Sequence, residues 1–529
     1  MVNEILKAER GVEPPKREGR LRVALGYANR YQVGISNLGF QTVWRLFALQ
    51  EGVRCERFFL EQPLGETLES QTPLRDFDLV CFSFPYELDY LNCLQILKKA
   101  KIPTLSHNRR RPLLLCGGAA ATLNPEPLAP FFDLILIGEA EGVVGEICRR
   151  LIKSGEEKRD LLWELAQIEG IYVPSLYRED PPGPPSPQEE GLPKRVKRRW
   201  VEDLNGFPIL NQAVTPLSHF RDMYLIEVGR GCGRGCRFCA ARQIYRPLRF
   251  KSQERIDLET NGAKEITRRI GLIGSSLSDL PCLEEICIHL SKEGYYLGLS
   301  SLRVDTLNPR LLEALFASRA RGLTIAPEGG TERIRRILGK EMEEEIILEG
   351  VKLASRIGFE RLKIYYMIGA PREEEKEIEG IVNLNKKIVK NFSSPFGARG
   401  ITVSINPLIP KPQTPFQWLP LEGEGKLKGK LKGIEVGIRK MGLRWVPKSV
   451  RQSTLQAIIS LGDRRVGMAL YHRAEENLSW SEAWKRAGVD PYAYIYRQKG
   501  KEETFPWEIV EGGERKERLW EAYGEALST

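Results

Sequence analysis

Short apolar runs alternate with helical stretches twice along this chain of 529 residues, and a proline-rich break separates the two series. In the first series "LRVALGY", "VRCERFFL", "FDLVCFSF", "RPLLLCGG" and "FDLILIGEAE" read as strands, and "SNLGFQTVWRLFALQEG" reads as a helix that stops at a glycine. Strands separated by helices pair in parallel, so the rhythm predicts an α/β domain over residues 1–170, built on a doubly wound parallel sheet. Ligands of such sheets bind at the carboxyl ends of the strands. Two glycine-bearing turns fall there, Gly117-Gly118 and Gly138-Glu139.

The second series is "YLIEVG", "IGLIGSS", "YLGLSSLRVD", "GLTIAPEGG", "RLKIYYMIG" and "ITVSINPLI". Six strand–helix units in so short a span predict a six-unit (β/α) partial TIM barrel over residues 216–420, with its active face at the C-terminal strand ends. Between the series, "REDPPGPPSPQEEGLPK" (178–194) carries six prolines and two glycines. It cannot continue a helix or a central strand. It interrupts a hairpin expected from "GIYVPSLY" to "KRVKRRWVEDL", which places a hairpin and proline-rich linker at residues 171–215. Residues 421–529 read as a charged helical region with aromatic anchors at Trp445, Trp480, Trp484, Tyr492, Trp507 and Trp520.

No apolar run approaches the roughly 18 residues of a membrane span, and the charged N-terminal stretch does not resemble a secretory leader. A cytoplasmic protein is expected. The formal net charge of +10 leaves contact with a polyanion open, RNA or a ribosomal component among them, although no RNA-binding motif accompanies it. Cys81, Cys116, Cys148 and Cys287 sit in apolar segments and read as small buried hydrophobes, and Cys282 carries no signal beyond a structural one.

Three of the ten cysteines stand together in "RGCGRGCRFCAARQ", as Cys232, Cys236 and Cys239. A C-x3-C-x2-C spacing arises by chance about 0.004 times in a chain of this composition. In a reducing compartment such a cluster means metal or redox chemistry. A structural zinc site needs a fourth ligand, and none of His107, His219, His289 and His472 stands at finger-like spacing, although His219 lies thirteen residues before Cys232. Three thiolates hold three irons of a four-iron cluster and leave the fourth iron open.

This stretch resembles the signature of radical S-adenosylmethionine (SAM) enzymes, in which an aromatic residue precedes the third cysteine, as Phe238 does here. The resemblance implies a [4Fe–4S] cluster on Cys232, Cys236 and Cys239. It implies SAM bound at the open iron and its reductive cleavage to a 5′-deoxyadenosyl radical, with electrons from an external reductant such as flavodoxin or ferredoxin. Gly231, Gly233 and Gly235 suit a loop wrapped around a cluster, and Arg234 and Arg237 either offset its charge or are simply exposed. Further segments resemble SAM-contacting strand ends of that family: "GSS" (274–276) where the family often has "GGE", "SSLRVD" (300–305), "APEGG" (326–330) and "YYMIGAPREE" (365–374). The resemblance carries SAM contacts to Phe238, Ser275, Ser301, Arg303, Glu328 and Gly369. No catalytic acid or base follows from it.

"CGGAAATLNPEPLAPFFDLILIGEAEG" (116–142) resembles the cobalamin-binding-type domain that precedes many radical SAM barrels. With "PLIPKPQTPFQW" (407–418), "GDRR" (462–465) and "PWEIV" (506–510), the likeness covers nearly the whole chain. It points to radical SAM proteins with an N-terminal cobalamin-binding-type domain and an unassigned substrate. Methylthiotransferases and cobalamin-dependent radical SAM methyltransferases are more distant relatives. Many cobalamin domains place a histidine after the first strand, but "YANRYQVGISNLGFQ" (27–41) has none. Either cobalamin binds without a protein imidazole below cobalt, or the domain keeps the fold without the cofactor.

Three functions are therefore weighed. The first is a radical SAM enzyme for C–H activation, with cobalamin-dependent methyl transfer as one outcome. The second is a radical SAM enzyme that modifies RNA or a ribosomal protein, its first domain a cofactor-free binding module. The third is a metal-stabilised scaffold without catalysis.

Overall fold

The computed structural model describes residues 2–13, 16, 18–62, 65–153, 157–181, 183–207 and 213–529. Pro182 of the proline-rich stretch and residues 208–212 of the expected linker lie outside the described residues. The chain forms two compact units. One comprises residues 1–223, 458–494 and 502–513, and the other residues 224–457, 495–501 and 514–529.

The first unit is built on six strands: β1 (Leu21–Tyr27), β2 (Val53–Phe59), β3 (Leu79–Ser83), β4 (Leu113–Gly117), β5 (Leu134–Leu136) and β6 (Ile171–Tyr172). Their order across the sheet is β2-β1-β3-β4-β5-β6. All pairs are parallel except β5 with β6. The doubly wound order reverses between β1 and β3, the place where such sheets open a crevice. Strands β1, β3, β4 and β5 are buried almost throughout, as a parallel sheet covered on both faces requires. Phe58, Phe82, Phe84 and Phe132 interlock there with ring centroids 5.1–6.0 Å apart.

The hairpin expected around the proline-rich stretch does not form between its two arms. Ile171–Tyr172 joins the main sheet beside β5. Tyr177–Arg178 pairs with Ser186–Pro187 inside the stretch itself, and Val196–Lys197 pairs with Val510–Glu511. Gly138, at φ +107°, accepts Arg199 so closely that a Cβ would stand 2.2 Å from the Arg199 carbonyl oxygen. The long-range partners were silent in local pattern, which alone suggested the hairpin.

Two sequence motifs meet in this unit. Asn124 donates to the carbonyls of Ser460 and Gly462 at 3.0 and 2.7 Å. Glu126 accepts from Arg464 at 2.9 Å and from the Tyr172 hydroxyl at 2.7 Å. Arg464 also donates to Tyr172. "NPE" and "GDRR" are thus the two halves of one buried polar tie. A stretch read as part of a separate helical region completes the first unit.

The second unit holds β7 (Tyr224–Arg230), β8 (Arg249–Phe250), β9 (Arg269–Gly274) and β10 (Tyr296–Leu299) in one sheet. It holds β11 (Gly322–Glu328), β12 (Arg361–Ile368), β13 (Ile401–Pro407) and β14 (Arg444–Pro447) in another. The first is ordered β8-β7-β9-β10, with β8 antiparallel, and the second is parallel throughout. The six strands read from the sequence are all present. Arg444–Pro447 adds a seventh in parallel, inside a region expected to be helical. On β12 every second residue is buried, namely Leu362, Ile364, Tyr366 and Ile368. The Tyr366 hydroxyl accepts from Asn385 on the helix Glu375–Asn391, so this face meets the covering helices. The other face looks into the barrel interior.

Among the described residues no helix is long and apolar enough to cross a membrane. Cys81, Cys116, Cys148 and Cys287 are buried as expected.

Replacing Arg464 by Met would strand the buried Glu126 carboxylate. A cost of about 3 kcal/mol is expected, read as a lower denaturant midpoint for the first unit by tryptophan fluorescence. Asp89, 4% exposed, accepts from Asn29 at 2.8 Å, and burial raises its pKa from 3.8 to about 6. The native state therefore binds the extra proton. This contribution to stability is full below pH 4 and lost as pH rises through about 6. Asp89→Asn should match the wild type near pH 4 and exceed its unfolding free energy at pH 7 by on the order of 2 kcal/mol.

Candidate active site

Strand β7 ends at Arg230, and the chain then turns through Gly231 at φ +85°, where a Cβ would lie 2.6 Å from the Pro247 carbonyl oxygen. The loop that follows carries Cys232, Cys236 and Cys239, all half-exposed and none in a disulfide. Cys236 feels the charges of both other cysteines, and Cys239 feels that of Cys232, so the three thiols share one neighbourhood. Burial pushes the Cys236 thiol up to about 11, against the pull of the Lys340 ammonium. Burial also raises Cys239, opposed by the backbone amides of Arg242 and Ala241.

The loop has little regular structure, so its shape is imposed from outside. Arg237 donates its amide to the Leu338 carbonyl at 2.9 Å, and its guanidinium to the carbonyls of Arg336 and Ile337 at 2.7 and 3.0 Å and to Glu525 at 2.9 Å. Gly339, at φ +69°, lies so close that a Cβ would stand 2.4 Å from the Gly235 carbonyl oxygen. On the other side the Cys232 thiol reaches Ser276 Oγ at 3.5 Å. Ser276 donates in turn to Asp279, which also pairs with Arg234. Burial works against ionisation of Asp279, but hydrogen bonds from Arg234 and Ser276 outweigh it and hold the carboxyl below its ordinary value.

Glu328 ends β11 at φ +69°, after a register shift against β12. A bulge of this kind re-aims a side chain at a strand end. Burial raises the Glu328 pKa, and Lys340 at 3.5 Å opposes the shift. Its charge reaches Cys239. The turn after it is clamped by Arg335, fully buried, which donates to the carbonyls of Gly329 and Met342 at 3.1 and 2.7 Å.

The other residues expected at the site are placed as follows. Arg303, whose charge reaches Cys236, chelates Asp305 at 2.9 and 2.7 Å, and its amide donates to Ser278 Oγ. Ser275 and Ser301 are exposed at the ends of β9 and β10, and Phe238 is half-exposed in the cysteine loop. Gly369 turns at φ +87°, its amide already donating to Glu373 at 2.8 Å. Sequence reading missed Ser276, Asp279, Arg335, Gly339 and Lys340. A Gly-Lys pair directly after the helix Glu332–Ile337 was the available signal for the last two. The buried Ser300 Oγ, beside the end of β10, has no hydrogen-bond partner.

Among the described residues no three His, Cys, Asp or Glu side chains converge as the ligands of a single ion would. A four-iron cluster takes one thiolate per iron, so its cysteines need no common focus. A donor set of three thiols on one loop, flanked by Arg234, Arg303 and Lys340, fits such an anionic group.

A three-thiol loop at the carboxyl ends of the parallel strands β7, β9 and β10 is the arrangement expected of an iron–sulfur enzyme of the barrel class. The sequence comparisons agree. Residues 39–174 match the family model for the N-terminal region of radical SAM proteins, and residues 226–384 match the radical SAM superfamily. An uncharacterized protein of Methanocaldococcus jannaschii is 30% identical over 482 residues, covering 90% of this chain and 97% of that protein. A tRNA-2-methylthio-N(6)-dimethylallyladenosine synthase of Wolbachia is 25% identical over 187 residues, 31% of this chain and 40% of that protein. The solved structure of the cobalamin-dependent SAM radical enzyme OxsB, with aqua-cobalamin and SAM bound, shares the fold. Its TM-score is 0.52 at 14% identity, over 97% of this chain and 79% of that one. The chain belongs to the radical SAM superfamily. Its core chemistry is cleavage of SAM at a cluster to generate a 5′-deoxyadenosyl radical.

Gly339→Val would push a side chain into the Gly235 carbonyl from a disfavoured backbone angle. Iron and sulfide bound after anaerobic reconstitution should drop severalfold while far-UV circular dichroism stays unchanged.

Proposed function

We propose that Cys232, Cys236 and Cys239 hold the [4Fe–4S] cluster and that the enzyme activates an unreactive C–H bond of its substrate. The observation that carries this is the set of three disulfide-free thiols on one externally braced loop at the carboxyl end of β7. When bound, the cluster supplies the electron that cleaves SAM, and a cytoplasmic reductant such as flavodoxin or ferredoxin replenishes it. The chain's own part is positioning and charge. Arg234, pinned by Asp279, and Lys340, held by Glu328, stand around the thiolates and offset negative charge. Arg303 is fixed by Asp305 and offers its remaining edge to the SAM carboxylate. Glu328, aimed by its bulge, serves the SAM amino group or ribose. Ser275, Ser276 and Ser301 line the strand ends beside them, with Phe238 and Gly369 bounding the adenosine.

Two roles for the first unit follow from its fold. The reversal of strand order between β1 and β3 favours a bound cobalamin and methyl transfer. Its packing favours the other role, a cofactor-free module that binds a macromolecular substrate, RNA or a ribosomal protein. Several glycines at and near the strand ends are packed from within. A Cβ on Gly26 would enter the Phe58 ring at 2.1 Å, one on Gly34 would meet Phe59 at 2.6 Å, and one on Gly118 would meet the Phe84 carbonyl at 2.8 Å. The loop after β1 is tied down as well, with the Ala28 carbonyl accepting from Asn92 at 2.9 Å. These residues do not fit cobalamin as a cradle.

Under anaerobic reduction Cys236→Ala should abolish 5′-deoxyadenosine formation, measured by chromatography; wild-type yields would overturn the cluster assignment. After reconstitution with iron, sulfide and cobalamin and then desalting, an iron–sulfur absorbance with negligible cobalt is expected. Near-stoichiometric cobalt would reverse the choice between the two roles.

A further inference from the structure

At the amino ends of β11 to β14 the second unit opens a cavity of about 740 Å³. The cysteine loop belongs to the other end of the strands. Eight residues of β12 separate the two ends, roughly 23 Å at the usual strand rise of about 3.3 Å. The register runs Thr324, Lys363, Thr402, Arg444 straight across four strands. Residues in register on parallel strands project from the same face, so these four form one layer of the interior wall. Bulky aliphatic side chains fill such layers in closed barrels. Here the layer is two hydroxyls and two cations.

Arg361 and Arg399 join Lys363 and Arg444 in lining the cavity, and no carboxylate lines it. Glu360, the acid beside Arg361 in sequence, is engaged by Arg321 at 3.7 Å. Gly322, Gly400 and Gly442 also line it and add no side chain to the space. Phe396, 48% exposed, stands at its edge with the Arg361 guanidinium 5.0 Å from the ring centroid. Four like charges around one cavity repel one another, and an anion that accepts from them relieves the repulsion. Guanidinium forks and an ammonium match phosphate oxygens, and the two threonine hydroxyls supply further donors. The ring and guanidinium at the edge offer a flat surface for a planar group. The volume lies in the range of small-molecule sites.

We propose that this cavity binds a phosphorylated small molecule of nucleotide size, its phosphates on Lys363, Arg399 and Arg444. The site is separate from the SAM chemistry and does not depend on the cluster assignment.

Isothermal titration of the full chain with pyrophosphate tests it. Saturable binding is expected, weakened at least about tenfold in Lys363→Gln/Arg444→Gln and preserved in the charge-retaining Lys363→Arg/Arg444→Lys. Thermal midpoints of both double variants verify folding, and SAM cleavage should be unchanged in each. ADP, titrated into the wild type and into Phe396→Ala, separates the two sources of phosphate. Binding tighter than pyrophosphate in the wild type and weakened in Phe396→Ala marks a nucleotide held against Phe396, and equal binding in both marks a simple polyphosphate. Absence of saturable pyrophosphate binding, or equal affinity in the Gln variant, would overturn the proposal.

Discussion

The cysteine loop depends on one close approach, the Gly235 carbonyl against Gly339. Three thiols must face a common space, yet a loop of glycines and arginines has no ladder of its own to hold it. The constraint comes from the end of the helix Glu332–Ile337. Its last carbonyls are unsatisfied within the helix, as at every helix C-terminus, and Arg237 satisfies them. One set of hydrogen bonds therefore ends a helix and shapes the three-cysteine loop. Lys340, next in sequence to Gly339, is delivered to the same place by the same turn.

Much of the architecture was legible locally. Strands buried on both faces, such as "LVCFS" and "LLLCG", announce themselves by their apolar character, and Gly117-Gly118 marks the end of the second. The grouping of Cys232, Cys236 and Cys239 on one loop is visible from spacing alone. What escaped was set by partners far along the chain. Arg444–Pro447 is short and largely exposed, and only its pairing with β13 makes it a strand. Ser276 and its neighbour Ser275 look alike in sequence, but only the first turns inward to meet Cys232 and Asp279. Asp279 and Lys340 are ordinary surface residues by composition, and their significance lies in what they stand beside.

Both units bury ion pairs. Arg57 lies fully buried between Glu9 and Glu69, its guanidinium 3.9 Å from the Trp44 ring. Lys251 and Glu259 pair inside the second unit at 2.7 Å. Such pairs contribute little net stability over apolar packing, but leaving one member alone is costly, so they enforce a single arrangement. The cavity at the amino ends of β11 to β14 stands out against this practice, with its cations left without acids.

The division of the C-terminal segment has a consequence for biosynthesis. The chain passes between the units five times, and the first unit is complete only at residue 513. During synthesis Glu126 is made more than 330 residues before Arg464, the group that neutralises it. A nascent chain that has emerged through the first sheet still lacks a wall of its core. Neither unit can be released intact by cutting the gene at one point, and vectorial folding of the first unit must wait until residue 513 has been made.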